Sequence, residues 1–229
     1  MKDQRIGWFL RFLVSLWKKD SPSPPRIFVD VVVATSWTTC EEKLTFATAE
    51  VLRRAIDVGR RNNRPILAMS HCSYPFSGAE DVEEQLRQAM IDEADRHAGH
   101  NIFSRVIHAD PMVSTVNEAL NIKKALDALG IDPSTIVVVT GEGHSCGAWK
   151  IYKKVFPKAK IYLSLFDFSF ETQPDHPVHD QRSPWKWFIM NVLRQCALWV
   201  FPLHALAKVQ HGNGSLLLQI LRNLRRKPE

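Results

Sequence analysis

The sequence predicts an α/β protein with a three-layer, doubly wound and mostly parallel sheet. Short β-branched runs recur along the chain, amphipathic helical patterns follow four of the five, and turn residues separate them. Such alternation requires crossover connections, which place neighbouring strands parallel. The predicted strands are Ile27–Ala34, Pro65–Met69, Arg105–His108, Ile136–Val139 and Ile161–Phe166.

The helices between these strands are recognised by their periodicity and by their ends. Acidic residues crowd the first turns of Ala79–His97 and its last turn is basic, as the helix dipole favours. Gly130 and Pro157 end the next two helices. The predicted helices are Thr45–Gly59, Ala79–His97, Thr115–Leu129 and Cys146–Phe156.

Composition divides the chain into three segments. Residues 1–25 comprise an amphipathic helix rich in Trp, Phe and Leu, followed by a Pro-rich linker. Residues 26–170 form the α/β domain. Residues 171–229 begin in a polar loop, interpreted as a solvated lid, with a metal cluster at Asp175–Asp180 as the weaker hypothesis. The predicted helices Trp187–Val209 and Ser215–Leu224 follow that loop.

The charge distribution favours some partners over others. The net charge is +6, and the basic residues concentrate near the two ends of the chain. No basic stripe with interleaved aromatic residues occurs mid-chain, which argues against nucleic acid as a partner. The terminal helices predict either peripheral contact with an anionic membrane or a cap on the core. Ile6–Trp17 is too short to span a bilayer and lacks a cleavage site, so the prediction is a cytoplasmic protein, with the inner face of the plasma membrane as a hypothesis.

The cysteines show no pairing motif and indicate a reducing compartment. Three of them follow predicted strands, so a metal or thiol site with His71 and His144 is a hypothesis, set against the use of Cys as a small apolar filler. No metal ligand is assigned. The four cysteines are Cys40, Cys72, Cys146 and Cys196.

A binding site is predicted at the carboxyl edge of the sheet, where all parallel strands end. The residues that follow the strands there are rich in hydroxyls, glycines and histidines. With helix N-termini behind them, such groups suit an anionic small molecule such as a phosphate or carboxylate. The predicted ligand-binding residues are Thr35, Ser36, Ser70, His71, Ser114, Thr115, Thr140, Gly141 and Gly143.

Each motif at this edge also has a purely structural interpretation. Thr115-Val-Asn-Glu118 matches a capping box, in which the Thr115 hydroxyl accepts from the Glu118 backbone N–H. Gly141 and Gly143 fit a tight turn, and their spacing matches neither a Walker loop nor a dinucleotide fingerprint. His144 suits a proton donor, a base or an anion contact, or is simply a hydrogen-bonded histidine. No GxSxG motif occurs, which argues against acyl transfer through serine.

The order of these motifs resembles the YdcF/SanA/ElyC-like proteins, a bacterial family with a Rossmann-like α/β fold, over about residues 28–170. The chain departs from the family pattern at Thr35-Ser36, where a Gly-Gly pair is usual, and at Gly147, where the family has Arg. The segments that carry the resemblance are Asp30-Val-Val-Val, Ser77-Gly-Ala-Glu80, Ser114-Thr115-Val-Asn-Glu118-Ala and Val139-Thr140 followed by His144.

The resemblance implies a small-molecule ligand bearing a phosphate or nucleotide. It also implies a link to cell-envelope or lipid-carrier metabolism, and one member implies S-adenosylmethionine; the cofactor is otherwise unassigned. In the first hypothesis the chain is a hydrolase or transferase with His144 as acid/base or oxyanion contact and Glu118 or Glu80 as its partner carboxylate. In the second it is a non-catalytic binding or regulatory module, which the missing Arg favours. The positions that match the family are Glu80, Thr115, Glu118, Thr140 and His144.

Overall fold

The computed structural model contains the predicted doubly wound sheet and confirms the fold class. It describes residues 6–19, 28–35, 39–40, 43–70, 102–110, 114–174, 179–200 and 203. Five parallel strands lie in the order β5-β4-β1-β6-β7, and a two-stranded antiparallel pair, β2 and β3, precedes the second helix. The strands are β1 (Val31–Ala34), β2 (Thr39–Cys40), β3 (Lys43–Leu44), β4 (Ile66–Met69), β5 (Arg105–His108), β6 (Thr135–Gly141) and β7 (Lys160–Phe166).

The described helices are α1 (Trp8–Trp17), α2 (Phe46–Arg60), α3 (Thr115–Ala128), α4 (Ser145–Val155) and α5 (Pro184–Val200), with 3₁₀ turns at Phe168–Glu171 and His179–Arg182. Those within the α/β domain, α2 to α4, begin and end within one residue of their predicted bounds. The last helix begins at Pro184 rather than Trp187, because proline suits the first helical position. The predicted helices Ala79–His97 and Ser215–Leu224 lie outside the described residues.

The first strand is shorter than predicted. It begins at Val31 instead of Ile27, because Asp30 lies in a bend and turns its side chain to β6. All four β1 residues are buried, and β6 is buried from Ile136 onward. Such continuous burial is typical of central parallel strands with helices on both faces.

Alternate side chains of the central strands enter two separate apolar layers. Val32 and Val137 pack with α1 and α2, whereas Val31 and Val138 pack with α3 and α4. Helix α5 contributes buried side chains to both layers. It therefore bridges the two faces of the sheet.

The strand order reverses between β1 and β6. The first strand pairs with β4 on one side and with β6 on the other, in parallel register. Open α/β sheets bind ligands at the carboxyl ends of the two strands that flank such a reversal. The residues at that place here are Thr35, directly after β1, and Thr140, within the last two residues of β6.

The opposite, amino edge is held by Asp30. Its Oδ2 accepts hydrogen bonds from Ser134 N at 2.8 Å, Ser134 Oγ at 2.8 Å and Thr135 N at 2.9 Å. These bonds tie the residues before β1 to the start of β6, the two strands that flank the reversal.

Replacing Asp30 with alanine tests that tie. We expect Asp30→Ala to lower the free energy of unfolding by about 1–2 kcal/mol, because two backbone N–H groups lose a charged acceptor. The control is Asp132→Ala, which removes an exposed carboxylate that lies 3.7 Å from Lys158 Nζ on the surface. Urea denaturation measures both, and equal effects of the two variants would contradict the role of Asp30.

Candidate functional site

The candidate site lies beside the carboxyl end of β6, where three helices meet. Thr115 is the first residue of α3, His144 immediately precedes α4, and Asn191 lies in α5. The α/β alternation brings α3 and α4 to the same face of the sheet, and α5 bridges from the other face. Residues distant in sequence are thereby in direct contact.

A continuous chain of hydrogen bonds links these three residues. Thr115 Oγ1 lies 2.9 Å from His144 Nε2, and His144 Nδ1 lies 3.0 Å from Asn191 Oδ1. Asn191 Nδ2 donates to the Trp187 carbonyl at 3.1 Å, which assigns Oδ1 as the acceptor toward His144. The network therefore places the ring proton on Nδ1, and Nε2 accepts from the Thr115 hydroxyl.

His144 is neutral in this arrangement. Burial lowers its pKa to about 4, the bond to Asn191 opposes that shift, and the positive charge of Arg194 adds to it. The Trp187 ring stacks beside the imidazole, and the two ring centroids lie 6.3 Å apart. The Arg194 guanidinium lies 5.1 Å from the centroid of the same Trp187 ring. The imidazole is thus held in one tautomer by hydrogen bonds on both ring nitrogens, with the Trp187 ring beside it.

The capping box predicted at Thr115 is wrong. The N-cap of α3 is Ser114, whose Oγ accepts from Asn117 N at 3.3 Å. Because the helix begins one residue earlier than a Thr115 cap would require, Thr115 occupies the first helical position. Its hydroxyl consequently points to His144 instead of the backbone of its own helix.

Glu118 lies in the interior between α3 and α4. It is 1% exposed, and on α4 the Tyr152 side chain is fully buried beside it. Burial raises the pKa of Tyr152 well above its usual value, and the negative charge of Glu118 adds to the shift. The tyrosine hydroxyl therefore keeps its proton next to a buried carboxylate.

Thr140 has an unpaired buried hydroxyl. The residue is 0% exposed, and its Oγ1 has no hydrogen-bond partner among the described residues. By strand alternation it shares the face of Val138, which packs against α3 and α4. A buried hydroxyl without a partner costs free energy unless a ligand or a water completes it.

The other predicted hydroxyls serve the strand ends. Thr35 Oγ1 donates to the Val139 carbonyl at 2.7 Å, and Ser70 Oγ donates to the Asp110 carbonyl at 2.6 Å. Each donor is therefore already engaged by the backbone. Three further predicted residues, Ser36, His71 and Glu80, lie outside the described residues.

The Gly-Glu-Gly turn after β6 is packed against a carboxylate of the chain itself. Glu171 Oε1 accepts from Gly143 N at 2.6 Å, and Glu171 Oε2 accepts from Trp187 Nε1 at 2.8 Å. A Cβ on Gly141 would collide with the Glu171 carboxylate, and one on Gly143 would lie 2.6 Å from the Phe168 ring. Glycine is needed here for space, since neither residue has a positive φ.

The N–H group predicted to face an external anion is thus bonded to Glu171. Burial raises the pKa of Glu171 to about 8, the two hydrogen bonds lower it, and the charges of Glu142 and Asp167 raise it further. Helix α1 brings cations to these two neighbours, since Lys18 Nζ lies 3.2 Å from Glu142 and Arg11 lies 3.3 Å from Asp167. The turn is therefore enclosed by α1 on one side and α5 on the other.

Glu171, Trp187 and Asn191 are not among the predicted site residues. The sequence places Glu171 in a polar loop, and Asn191 and Trp187 in an apolar helix. The available signal was modest: a polar asparagine one turn after a tryptophan within an otherwise apolar helical pattern. A buried polar residue in such a pattern usually has a specific partner.

The metal hypotheses gain no support from the described part of the chain. There, no group of three or more His, Cys, Asp and Glu is arranged to hold a metal ion. Cys146 Sγ donates to the Trp17 carbonyl at 2.8 Å, and burial raises the pKa of its thiol, so it is not a ready thiolate ligand. Cys72 lies outside the described residues, as does the side chain of Cys40.

Comparison with known proteins adds no relative. No family model matches the chain, and no curated protein or solved structure does so either. The fold and the site define an α/β protein of Rossmann-like topology with a partly buried Thr–His–Asn hydrogen-bond chain. The resemblance to the YdcF/SanA/ElyC-like proteins rests on the sequence motifs alone.

The depressed pKa of His144 predicts a pH-dependent contribution to stability. Its pKa is about 4 in the folded chain and about 6.5 when unfolded, so between these values the unfolded state binds more protons. The contribution of His144 therefore rises with pH across that window, by up to about 3 kcal/mol, and is constant above it.

Denaturation of His144→Gln and the parent chain at pH 4 to 8 measures this contribution. We expect the difference between them to grow from pH 4 to 6.5, in favour of the parent. His108→Gln, at a largely exposed histidine, is the control. A difference for His144→Gln that does not vary with pH would contradict the assignment of a neutral, buried imidazole.

Close packing at the Gly-Glu-Gly turn predicts that a single methyl group is harmful. Gly143→Ala should lower the free energy of unfolding by about 1–3 kcal/mol, because the new Cβ presses on the Phe168 ring. Gly7→Ala is the matched control, since a Cβ there meets nothing within 4 Å. Thermal denaturation compares the two, and a neutral Gly143→Ala would show that Phe168 and Glu171 do not pack on this turn.

Proposed function

We propose that the chain is an enzyme of the YdcF/SanA/ElyC-like type that acts on a phosphate- or nucleotide-bearing small molecule at the carboxyl edge beside β6. The observation that carries the proposal is the Thr115–His144–Asn191 hydrogen-bond chain next to the unpaired, buried hydroxyl of Thr140. A hydroxyl, a base and a group that orients the base are the arrangement used to activate an oxygen nucleophile. The reaction class we infer is hydrolysis or transfer.

The proposed chemistry follows from the tautomer of His144. Its Nε2 takes a proton from the Thr115 hydroxyl, or from a water bound in its place, while Asn191 holds the ring. The activated oxygen forms a bond to phosphorus and the bond to the leaving group breaks. His144 then returns its proton to the leaving-group oxygen. Where Thr115 is the nucleophile, a water or an acceptor hydroxyl deprotonated by His144 next attacks phosphorus, the bond from phosphorus to the Thr115 oxygen breaks, and that oxygen takes the proton back from His144.

An anionic ligand would also correct the weak basicity of His144. A base with a pKa of about 4 is poorly matched to neutral pH. A phosphate within about 4–6 Å of the ring would stabilise the imidazolium and raise that pKa by roughly 1–3 units. Ligand binding would therefore draw a proton into the site, which favours an anionic substrate over a neutral one.

A non-catalytic binding module is the second candidate. Gly147 stands where the resembled family has Arg, and a Cβ there would lie 3.6 Å from Gln195 Oε1 and 3.9 Å from His144 Cε1. Helix α5 thus occupies the direction in which an arginine side chain would extend. Arg194 brings a cation from α5 instead, close enough to affect the pKa of His144, while its guanidinium also lies 3.4 Å from Asp180 Oδ2.

S-adenosylmethionine, implied by one family member, fits the described residues poorly. Thr35 follows β1 where a Gly-Gly pair is usual, and its buried side chain is bonded to the Val139 carbonyl. Backbone close to a cofactor generally requires glycine at this position.

The two candidates differ in what His144→Gln does. Hydrolysis of phosphomonoesters and nucleotides is followed by phosphate release, and binding of the same compounds by native mass spectrometry. If the chain is an enzyme, His144→Gln should lower kcat roughly 10²–10⁴-fold, while Kd rises only modestly through the lost contact between the imidazolium and the anion. Thr115→Val should lower kcat similarly if Thr115 is the nucleophile, and less if it positions a water.

Lys158→Ala, a surface lysine remote from the site, is the activity control. Binding without turnover by the parent chain would favour the binding module. Failure of the parent chain to bind any phosphorylated compound in the panel would contradict both candidates.

A further inference from the structure

An apolar stripe faces outward along α1. Trp8, Phe12 and Leu16 lie one turn apart and are 80%, 51% and 69% exposed. Leu10 and Val14, on the opposite side of the same helix, are buried in the core. Because packing fixes the inner side of α1, its outer side faces solvent. The predicted cap on the core therefore describes the buried side of this helix and not its exposed side.

Helix α5 presents a second outward stripe. Trp185 and Ile189 are exposed on its first turns, and Trp199 is 68% exposed near its end. The inner side is again buried, through Trp187 and Leu198. The two stripes meet where the Phe9 and Trp185 rings approach, with centroids 6.2 Å apart. Together they form one apolar surface, here called the α1/α5 face.

The charges around the α1/α5 face are mostly positive. Residues 6–19 and 179–200 contain six Lys and Arg residues and one acidic residue, Asp180. Lys186 and Arg182 are exposed at the start of α5, and Lys18 and Lys19 follow α1. Within the described part of the chain, three of these cations are paired, Arg11 with Asp167, Lys18 with Glu142 and Arg194 with Asp180, so the six positive charges face three acidic residues there and an excess of positive charge remains.

We propose that the α1/α5 face docks on the surface of an anionic phospholipid bilayer. Large exposed apolar patches mark interaction surfaces. Tryptophan and phenylalanine flanked by lysine and arginine are typical of helices that lie in the plane of a membrane interface. In the part of the chain that the structure describes, no helix is both long and apolar enough to cross a bilayer.

Docking through the α1/α5 face would place the membrane next to the candidate site. This docking does not depend on the chemistry of that site. Helix α1 contributes to the α1/α5 face and also contacts the start of α4, through Lys19 N to Ser145 Oγ at 2.9 Å. The same segment pairs Lys18 with Glu142 of the Gly-Glu-Gly turn. One helix is therefore shared by the docking face and the wall of the site.

Vesicle flotation of the full chain tests the proposal. The vesicles contain phosphatidylcholine alone or with roughly 30 mol% phosphatidylglycerol. The parent chain should float with the anionic vesicles and release at high salt. Trp8→Ser/Trp185→Ser should lower the partition coefficient roughly tenfold or more, through lost apolar burial. Lys186→Glu should also lower it roughly tenfold, through charge reversal near the anionic surface.

The matched control is Phe28→Ser/Leu120→Ser, which removes two exposed apolar side chains away from the α1/α5 face. It should change the partition coefficient by less than about twofold. Circular dichroism and thermal denaturation establish that each variant folds, and quenching of tryptophan fluorescence by brominated lipid supplies a second measure of contact in the parent chain.

Two results would overturn the proposal. One is failure to float with anionic vesicles, or equal flotation with both vesicle types. The other is a dimer in light scattering that Trp8→Ser/Trp185→Ser converts to a monomer, since a second copy of the chain would then cover the face. Loss of anionic-vesicle binding by both the tryptophan and the lysine variants, with the control unchanged, supports it.

Discussion

The site depends on the two hydrogen bonds that the buried carboxyl group of Glu171 accepts. That group accepts from the Gly143 N–H and from the Trp187 indole, and so joins the turn after β6 to helix α5. Asn191 lies one helical turn beyond Trp187, at the height where its side chain reaches His144. Burying a carboxylate is costly unless hydrogen bonds compensate. Here the two bonds also determine where α5 lies.

The imidazole is oriented by groups that the chain assembles from separate elements. The turn carries His144, α3 supplies a hydroxyl on one ring nitrogen, and α5 supplies an amide oxygen on the other. Because the amide of Asn191 is itself fixed by the Trp187 carbonyl, the direction of each bond follows from the network. Asn191 carries no charge and therefore does not stabilise a positively charged ring. A cationic His144 must instead be stabilised by the negative charge of a ligand.

Sequence patterns predicted the fold because they record burial, which is local and periodic. The runs Val31–Ala34 in β1 and Ile136–Val139 in β6 are apolar at every position since both strands are central, and Arg105–His108 was predicted with its observed bounds. The predicted first strand is too long because Asp30 lies within a run of mostly β-branched residues. Thr115 was misread because Ser114 offers the same capping chemistry one residue earlier, and only the geometry distinguishes them.

The candidate site was predicted in part, because its parts are held together by contacts that no periodicity records. His144, Thr115 and Thr140 followed from the rule that strand ends converge at one edge. Glu171 lies in the 3₁₀ turn Phe168–Glu171, and Asn191 lies in α5. Their contacts to Gly143 and His144 span 28 and 47 residues of sequence. The sequence neighbours of a polar residue in a loop or an apolar helix do not identify which distant residue is its partner.

The bond between Glu171 and Gly143 also makes the chain its own competitor for the Gly143 N–H. A carboxyl group fixed within the fold acts at an effective concentration of millimolar or more, whatever the concentration of solutes outside. With a pKa of about 8 this group is largely neutral at pH 7, so it occupies the N–H without adding a full negative charge to the site. An anionic substrate at this edge must therefore be recognised on the side of Thr115, Thr140 and His144.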